Sequence, residues 1–320
     1  LDDLPEDERE ETAAASYAYW YLTSTTTPTT QCQNETTIES DRDVIAGVRA
    51  RRDHMAVKEI RRHYVGEGKQ HDKTLVAIRE ALSYRKEYQL NDLRKCFQQT
   101  VGTIENNKEN NHNDDHQGAD DTTTTKNSIH ELETLISQDM EKQLLVNRGY
   151  GRTGCGVAYK FGRKVLTVDT NERGFLLSNL YASERLMAAT EYHSRGAQER
   201  VVVAFDFDGY ESKYKPPTSI MPIFTTMLQR LYPERLETLV VLDAPFWMRA
   251  LYNLIYVFIS RDTRQKLQMA AGPEAIETAF ETLVEDEQAM PRIRTNGKLT
   301  SPVDLNRYLY EIPFHLAYQD

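Results

Sequence analysis

Residues 228–267, LQRLYPERLETLVVLDAPFWMRALYNLIYVFISRDTRQKL, decide the fold of this chain. The proline of Tyr232-Pro233 cannot continue a helical hydrogen-bond ladder, so a helix stops there. Leu239-Val240-Val241-Leu242 follows as a short continuous apolar run, the pattern of a buried strand. After the turn Asp243-Ala244-Pro245, the segment from Phe246 to Ile259 is apolar on nearly every side. It is shorter than the roughly 20 apolar residues that a bilayer span needs. It also lacks the polar face of an ordinary surface helix. Two readings fit: a helix packed in the core, or a helix whose second face covers an apolar ligand or meets a membrane. Periodicity alone does not choose between them.

The flanking sequence places this segment in an alternating pattern. Strands are predicted at 164–169, 201–207, 238–242 and 266–270, and helices at 176–194, 217–231, 246–259 and 273–284. Strands that alternate with helices argue an α/β fold with a mostly parallel β-sheet floor covered by helices. Upstream, Leu132, Leu135, Ile136, Met140 and Leu144 recur along one side of a predicted helix at 130–146. Residues 41–99 read as a small N-terminal all-helical lobe. It has a short helix carrying Val44, Ile45 and Val48 and a second helix at about 74–88 carrying Leu75, Ile78 and Leu82. Residues 1–40, an acidic start followed by a Thr-rich stretch, read as a disordered tail, with Tyr17, Tyr19, Trp20, Tyr21 and Leu22 as a segment able to dock. Residues 100–128, rich in Asn, Asp and Thr, read as a low-complexity insertion or linker. The main domain is then 129–305, with a C-terminal extension at 306–320.

Lys and Arg number 39 against 49 Asp and Glu, a formal net charge of −10. That balance argues against nucleic acid as a partner, which normally requires a basic face. Much of the excess sits at the start, where Asp2, Asp3, Glu6, Asp7, Glu8, Glu10 and Glu11 oppose Arg9 alone. Cys32, Cys96 and Cys155 are far apart and odd in number, which gives neither a disulfide framework nor a metal knuckle and fits a reducing compartment. No signal peptide or membrane span is visible, and a start at Leu1 is what a piece of a longer protein would show.

Several constellations invite chemistry. Val201 to Gly209 ends in Asp206-Phe207-Asp208-Gly209, the way a haloacid-dehalogenase-type phosphatase begins, with Asp206 as nucleophile and Asp208 as acid/base. Against it stand Tyr210-Glu211 where a threonine is usual and the lack of a downstream acidic pair. Gly149-Tyr150-Gly151-Arg152-Thr153-Gly154-Cys155-Gly156 lacks the Gly-Lys-Ser/Thr of a phosphate loop and reads as a turn, with Cys155 an ordinary thiol. His112, Asp114, Asp115 and His116 fall in the low-complexity tract and read as solvated. No metal and no cofactor is implied. Arg230, Arg235, Arg249, Arg261, Arg264 and Lys266 surround the apolar segment, either as solvated helix ends or as contacts to anionic lipid headgroups.

The order Tyr232-Pro233-Glu234-Arg235, hydrophobic strand, Asp243-Ala244-Pro245 turn, apolar helix, then Thr263 and Lys266 resembles the CRAL-TRIO lipid-binding family. That family includes phosphatidylinositol-transfer proteins and tocopherol and retinal carriers. VRARR at 48–52, ALSYRKEY at 81–88 and GRKV at 162–165 are similar to the family's N-terminal lobe and first strand. The resemblance implies that the apolar helix is a gate over a lipid pocket floored by the sheet. It implies lipid contacts from Phe205, Phe207, Leu242, Phe246, Met248, Leu251, Tyr252, Ile255, Phe258 and Ile259. Along the strand at 201–207, either alternating set can face the ligand. The resemblance places Thr263 and Lys266 on a phosphoinositol headgroup, but Ile223 stands where the family's acidic partner is expected. The implied function is a carrier and not an enzyme: one hydrophobic lipid held in a gated pocket and transferred or presented between membranes. Such a protein is cytoplasmic and peripherally membrane-associated, and makes transient contact with a membrane surface. Alternatives are a lipid-dependent membrane-targeting module of a larger regulatory protein and the phosphatase above.

Overall fold

The computed structural model describes residues 3–25, 38–98, 120–142, 145–161, 171–208, 219–246, 264–283, 294–295, 298–299 and 303–318. By its internal contacts the chain divides into two compact units. One comprises Leu1–Glu87 with Met227–Arg235, and the other Tyr88–Thr226 with Leu236–Asp320.

The second unit is built on a five-stranded sheet, β1 (Leu145–Tyr150), β2 (Gly156–Phe161), β3 (Val201–Asp206), β4 (Leu236–Leu242) and β5 (Leu267–Ala270), in that spatial order. β1 runs antiparallel to β2, and the remaining neighbours are parallel. The fold class is therefore α/β with a mostly parallel sheet, as the alternation predicts. The edge hairpin is the part that the strand pattern misses: Gly149 and Gly154, at φ 82° and 79°, permit the turn that the glycine-rich stretch was expected to make. The strand predicted at 164–169 lies outside the described residues.

Between β2 and β3 runs α7 (Glu172–His193), and between β3 and β4 runs α8 (Ile220–Leu231). Asn171 starts α7 by accepting from the backbone N–H groups of Arg173 and Gly174. The helix is buried along most of its length, and its buried charged side chains are held by partners from elsewhere in the unit. Glu184 pairs with Arg94, both 1% exposed. Arg185 donates to the carbonyls of Tyr308, Ile312 and Pro313 and stacks 3.9 Å from the Tyr308 ring centroid. Residues 303–318 are thus part of this unit's core: Tyr308, Phe314 and Tyr318 are buried, and Tyr318 donates its N–H to the Asn147 carbonyl of β1 at 2.8 Å. α5 (Leu90–Leu93) also belongs to this unit, α6 (Asp120–Lys142) begins inside the stretch expected as a linker, and residues 99–119 lie outside the described residues. α9 (Pro273–Leu283) follows β5, and β6 (Arg294–Thr295) and β7 (Lys298–Leu299) pair separately.

The first unit is helical, with α1 (Glu6–Ala13), α2 (Tyr17–Thr25), α3 (Ile38–Gly66) and α4 (His71–Glu87). Two expectations change here. Residues 6–25 are two helices and not a disordered tail, because Ala13 and Tyr19 bury against Ala56 of α3 and the acids that suggested solvation find cations. Glu6 pairs with Arg52 at 3.0 Å, and Glu10 accepts from the Tyr19 hydroxyl at 2.9 Å. The short helix expected near Val44–Val48 is one part of the long α3.

The Arg235 of the YPER stretch has a structural task. It reaches Glu59 of α3 at 3.5 Å, alongside Arg62 and His63. Burial works to raise the Glu59 pKa, but Arg62, Arg235 and His63 overcome it and bring the value down to about 2. A folded-state pKa below the unfolded one means stability that is present above the ordinary carboxylate range and lost as pH falls toward 2. Glu59→Gln is expected to destabilise this unit by about 3–5 kcal/mol at pH 7, because it strands buried cations. It should also flatten the acid limb of the stability profile between about pH 4.5 and 2, measured by urea unfolding followed by circular dichroism across that range.

Candidate functional site

The parallel register sorts the strand residues onto two unlike faces. Lys160 is level with Phe205, Phe205 with Val241, and Val203 with Leu239, so these side chains share one face. α7 lies on that side, since a Cβ on Gly156 would fall 2.8 Å from Thr190 Oγ1 and 2.9 Å from Leu186 Cδ1. Glycine here lets the helix approach the strand closely, and the Gly156 N–H donates to Thr190 Oγ1 at 2.9 Å. α8 joins on the same side through Phe224, edge-on to Phe175 of α7 with centroids 5.3 Å apart. Right-handed crossovers between parallel strands give this placement.

The opposite face is dry: Val157, Tyr159, Val202, Ala204, Val240 and Leu242 are all buried to 2% exposure or less. On the helix-bearing face, Val203, Phe205 and Leu239 stay half-buried although they sit in the interior strands β3 and β4. Apolar side chains that remain partly accessible on the floor between helices are what an apolar ligand site requires. Within β3, Val203 and Phe205 are partly accessible, whereas Val202 and Ala204 of the other alternating set are buried.

One charged residue belongs to this floor. Lys160 is buried, donates from Nζ to Asn179 Oδ1 at 3.0 Å, and lies 5.3 Å from the Phe175 ring centroid and 5.7 Å from that of Phe205. Burial lowers its pKa to about 8 against an upward pull from Asp139. Lys160, Phe175, Asn179 and Phe224 were not singled out from the sequence. The available signal was a lysine in the otherwise uncharged strand GVAYKF, at the parity of Phe205 once the strands are aligned.

Of the residues expected to contact lipid, Phe205 lies on the accessible face and Phe207 is half-buried just beyond β3. Leu242 is level with Asp206 and fully buried on the other face, away from Phe205. Phe246 is 88% exposed. Met248, Leu251, Tyr252, Ile255, Phe258, Ile259 and Thr263 lie outside the described residues, as do Trp247, Arg249 and Arg261. Lys266 is half-buried at the entrance to β5, where its carbonyl accepts from the Leu239 N–H at 2.9 Å. Ile223 is 53% exposed on α8. Arg230 is engaged by Glu67 and Glu80, and Arg235 by Glu59, so neither is a solvated helix end.

The rival carboxylates have other partners. Asp206 Oδ2 accepts from the Tyr159 hydroxyl at 2.8 Å and Oδ1 from the Asp208 N–H at 2.8 Å, on the dry face. Its carboxylate closes the end of β3 and orders the turn that follows. Among the described residues no group of three or more His, Cys, Asp or Glu is placed to hold a metal ion. Burial pushes the Cys155 thiol up, opposite to the depression that a nucleophile needs. The Asp243 side chain is also structural, accepting from the Gly272 N–H at 3.0 Å.

With this geometry in place, residues 140–290 match the family model described as the CRAL/TRIO domain. A crystal structure of Sfh5 is similar at a TM-score of 0.44 and 12% identity, over 65% of this chain and 62% of that one. This chain therefore spans less than two thirds of that protein's chain.

Tyr159→Phe removes a donor from a buried carboxylate, and hydrogen bonds to charged groups are worth about 1.5–3 kcal/mol. The variant is expected to lose about 2 kcal/mol of stability in urea unfolding, because the buried Asp206 side chain is left with one hydrogen-bond partner fewer.

Proposed function

We propose that residues 140–290, a CRAL/TRIO domain, hold one hydrophobic lipid against the helix-bearing face of the sheet and transfer or present it between membranes. The observation that carries this reading is the half-accessible apolar floor of Val203, Phe205 and Leu239 beneath α7 and α8. An acyl or isoprenoid chain that leaves water for such a surface gains about 0.8 kcal/mol per buried methylene, so retention needs no covalent step and no cofactor. The family is one of lipid carriers, and the reading is of a carrier and not an enzyme.

The organisation expected from the sequence, a helical lobe followed by a lipid-binding domain, remains part of this proposal, with residues from Tyr88 and the segment 303–318 counted with the second unit. So does the role of the apolar segment 246–259 as a gate. Phe246, almost fully exposed, suits contact with a membrane surface, where an aromatic ring no longer faces water. No helix among the described residues is long and apolar enough to cross a membrane, which is compatible with peripheral attachment. A cytoplasmic location is proposed on the cysteine pattern alone. For the headgroup, Thr263 and Lys266 are retained while Ile223 offers no carboxylate, so a phosphatidylinositol headgroup would lose one of its expected partners.

The test is native mass spectrometry of the purified chain, followed by organic extraction. One lipid per chain is expected, and Phe205→Asp should reduce its occupancy at least tenfold. A chain that carries no lipid and takes up none from liposomes of phosphatidylcholine and phosphatidylinositol would overturn the carrier reading.

A further inference from the structure

We infer that Lys160 is an anion-binding anchor inside the ligand site, so that the bound lipid is one whose phosphate or carboxylate lies at the sheet floor beside β2. This rests on the carrier reading and adds to it the chemical class of the ligand and the place of its polar end.

Lysine is almost never buried without a partner. Lys160 sits on an interior strand, level with Phe205, with its ammonium between the Phe175 and Phe205 rings. An ammonium carries three N–H donors, and among the described residues Lys160 has one acceptor, Asn179 Oδ1 at 3.0 Å. No described carboxylate forms an ion pair with it. Asp139 of α6 acts on it only from a distance and accepts a hydrogen bond from the Ser178 hydroxyl.

The acceptor is held in place. Asn179 Nδ2 donates to the Phe175 carbonyl at 2.7 Å, which turns Oδ1 toward Lys160 and fixes the approach of the ammonium. The acceptor is therefore prearranged, and among the described residues two donors of the ammonium have no acceptor, on the face where Val203 and Phe205 remain partly accessible.

A buried cation lacking a contact counter-charge is costly, and an anion brought in by the ligand removes that cost. A phosphate or carboxylate oxygen meets both remaining needs at once, as charge and as hydrogen-bond acceptor. The aromatic rings and the Val203–Leu239 floor then receive the adjoining hydrocarbon. This places a recognition group deep beside β2, separate from Thr263 and Lys266.

The delipidated full chain would be titrated with oleic acid, dioleoyl phosphatidic acid and dioleoylglycerol, which share an acyl chain and differ in the anion. At least one anionic lipid should bind at least tenfold more tightly than dioleoylglycerol, and the better of the two identifies carboxylate or phosphate as the source. Lys160→Met should erase that preference, so that in the variant the anionic lipid binds within about twofold of dioleoylglycerol. Asn179→Asp, nearly isosteric, supplies an internal counter-charge and should erase it as well. Equal affinity for all three lipids in the parent chain, or a preference that survives both substitutions in folded protein, would overturn the assignment while leaving the carrier reading intact. Failure to bind any of the three would overturn both.

Discussion

Burial of α7 is the constraint on which the second unit depends. A helix packed on several sides cannot send its polar side chains to water, so each must find a partner inside. Those partners come from distant parts of the chain. Ser178 reaches Asp139 of α6, Asn179 reaches Lys160 of β2, and Glu184 reaches Arg94, ninety residues upstream. Arg185 gathers three carbonyls from residues 308–313, and Thr190 caps the first N–H of β2. Without these pairs the helix would hold stranded charges. With them it fixes the edge hairpin, α6 and the C-terminal segment around one element.

The same arrangement makes the two faces of the sheet unequal. On the face away from α7, the strand side chains are buried, and a carboxylate there, Asp206, is held by Tyr159 and its own turn. On the α7 side, Gly156, Ala158 and Lys160 of β2 lie beside the larger Val203, Phe205 and Leu239. Gly156 admits the helix against one end of β2, while Lys160, Phe205 and Val203 lie where the contact is less complete. A tightly packed sheet interior would have no use for a lysine at that position.

Much of the architecture was legible from the chain. Leu239–Leu242 is a continuous apolar strand and β4 contains it; Val201–Phe207 and residues 217–231 also match observed elements to within a few residues. The edge hairpin was not legible as strands, because Leu145–Tyr150 and Gly156–Phe161 carry Asn, Arg, Gly and Lys within them. The partners that these residues find lie far away in sequence: Asn179 for Lys160, and Tyr308 and Tyr318 for the Asn147 backbone. The acidic start misled for a similar reason. Glu6 and Glu10 look solvated until Arg52 and Tyr19 are brought alongside.

The sequence by itself determined the alternation of strands and helices, the helix stop at Pro233, and an apolar composition on β3 and β4 suited to a hydrophobic ligand. Those properties are local, set by periodicity and by backbone chemistry within a few residues. The tertiary structure decided which alternate set of β3 is accessible, that Leu242 belongs to the dry face, and that Arg235 is spent on Glu59. It also placed a lysine between two aromatic rings on the floor. Facing and pairing depend on strand register and on which helix covers which side, and neither is written in any short stretch of the chain.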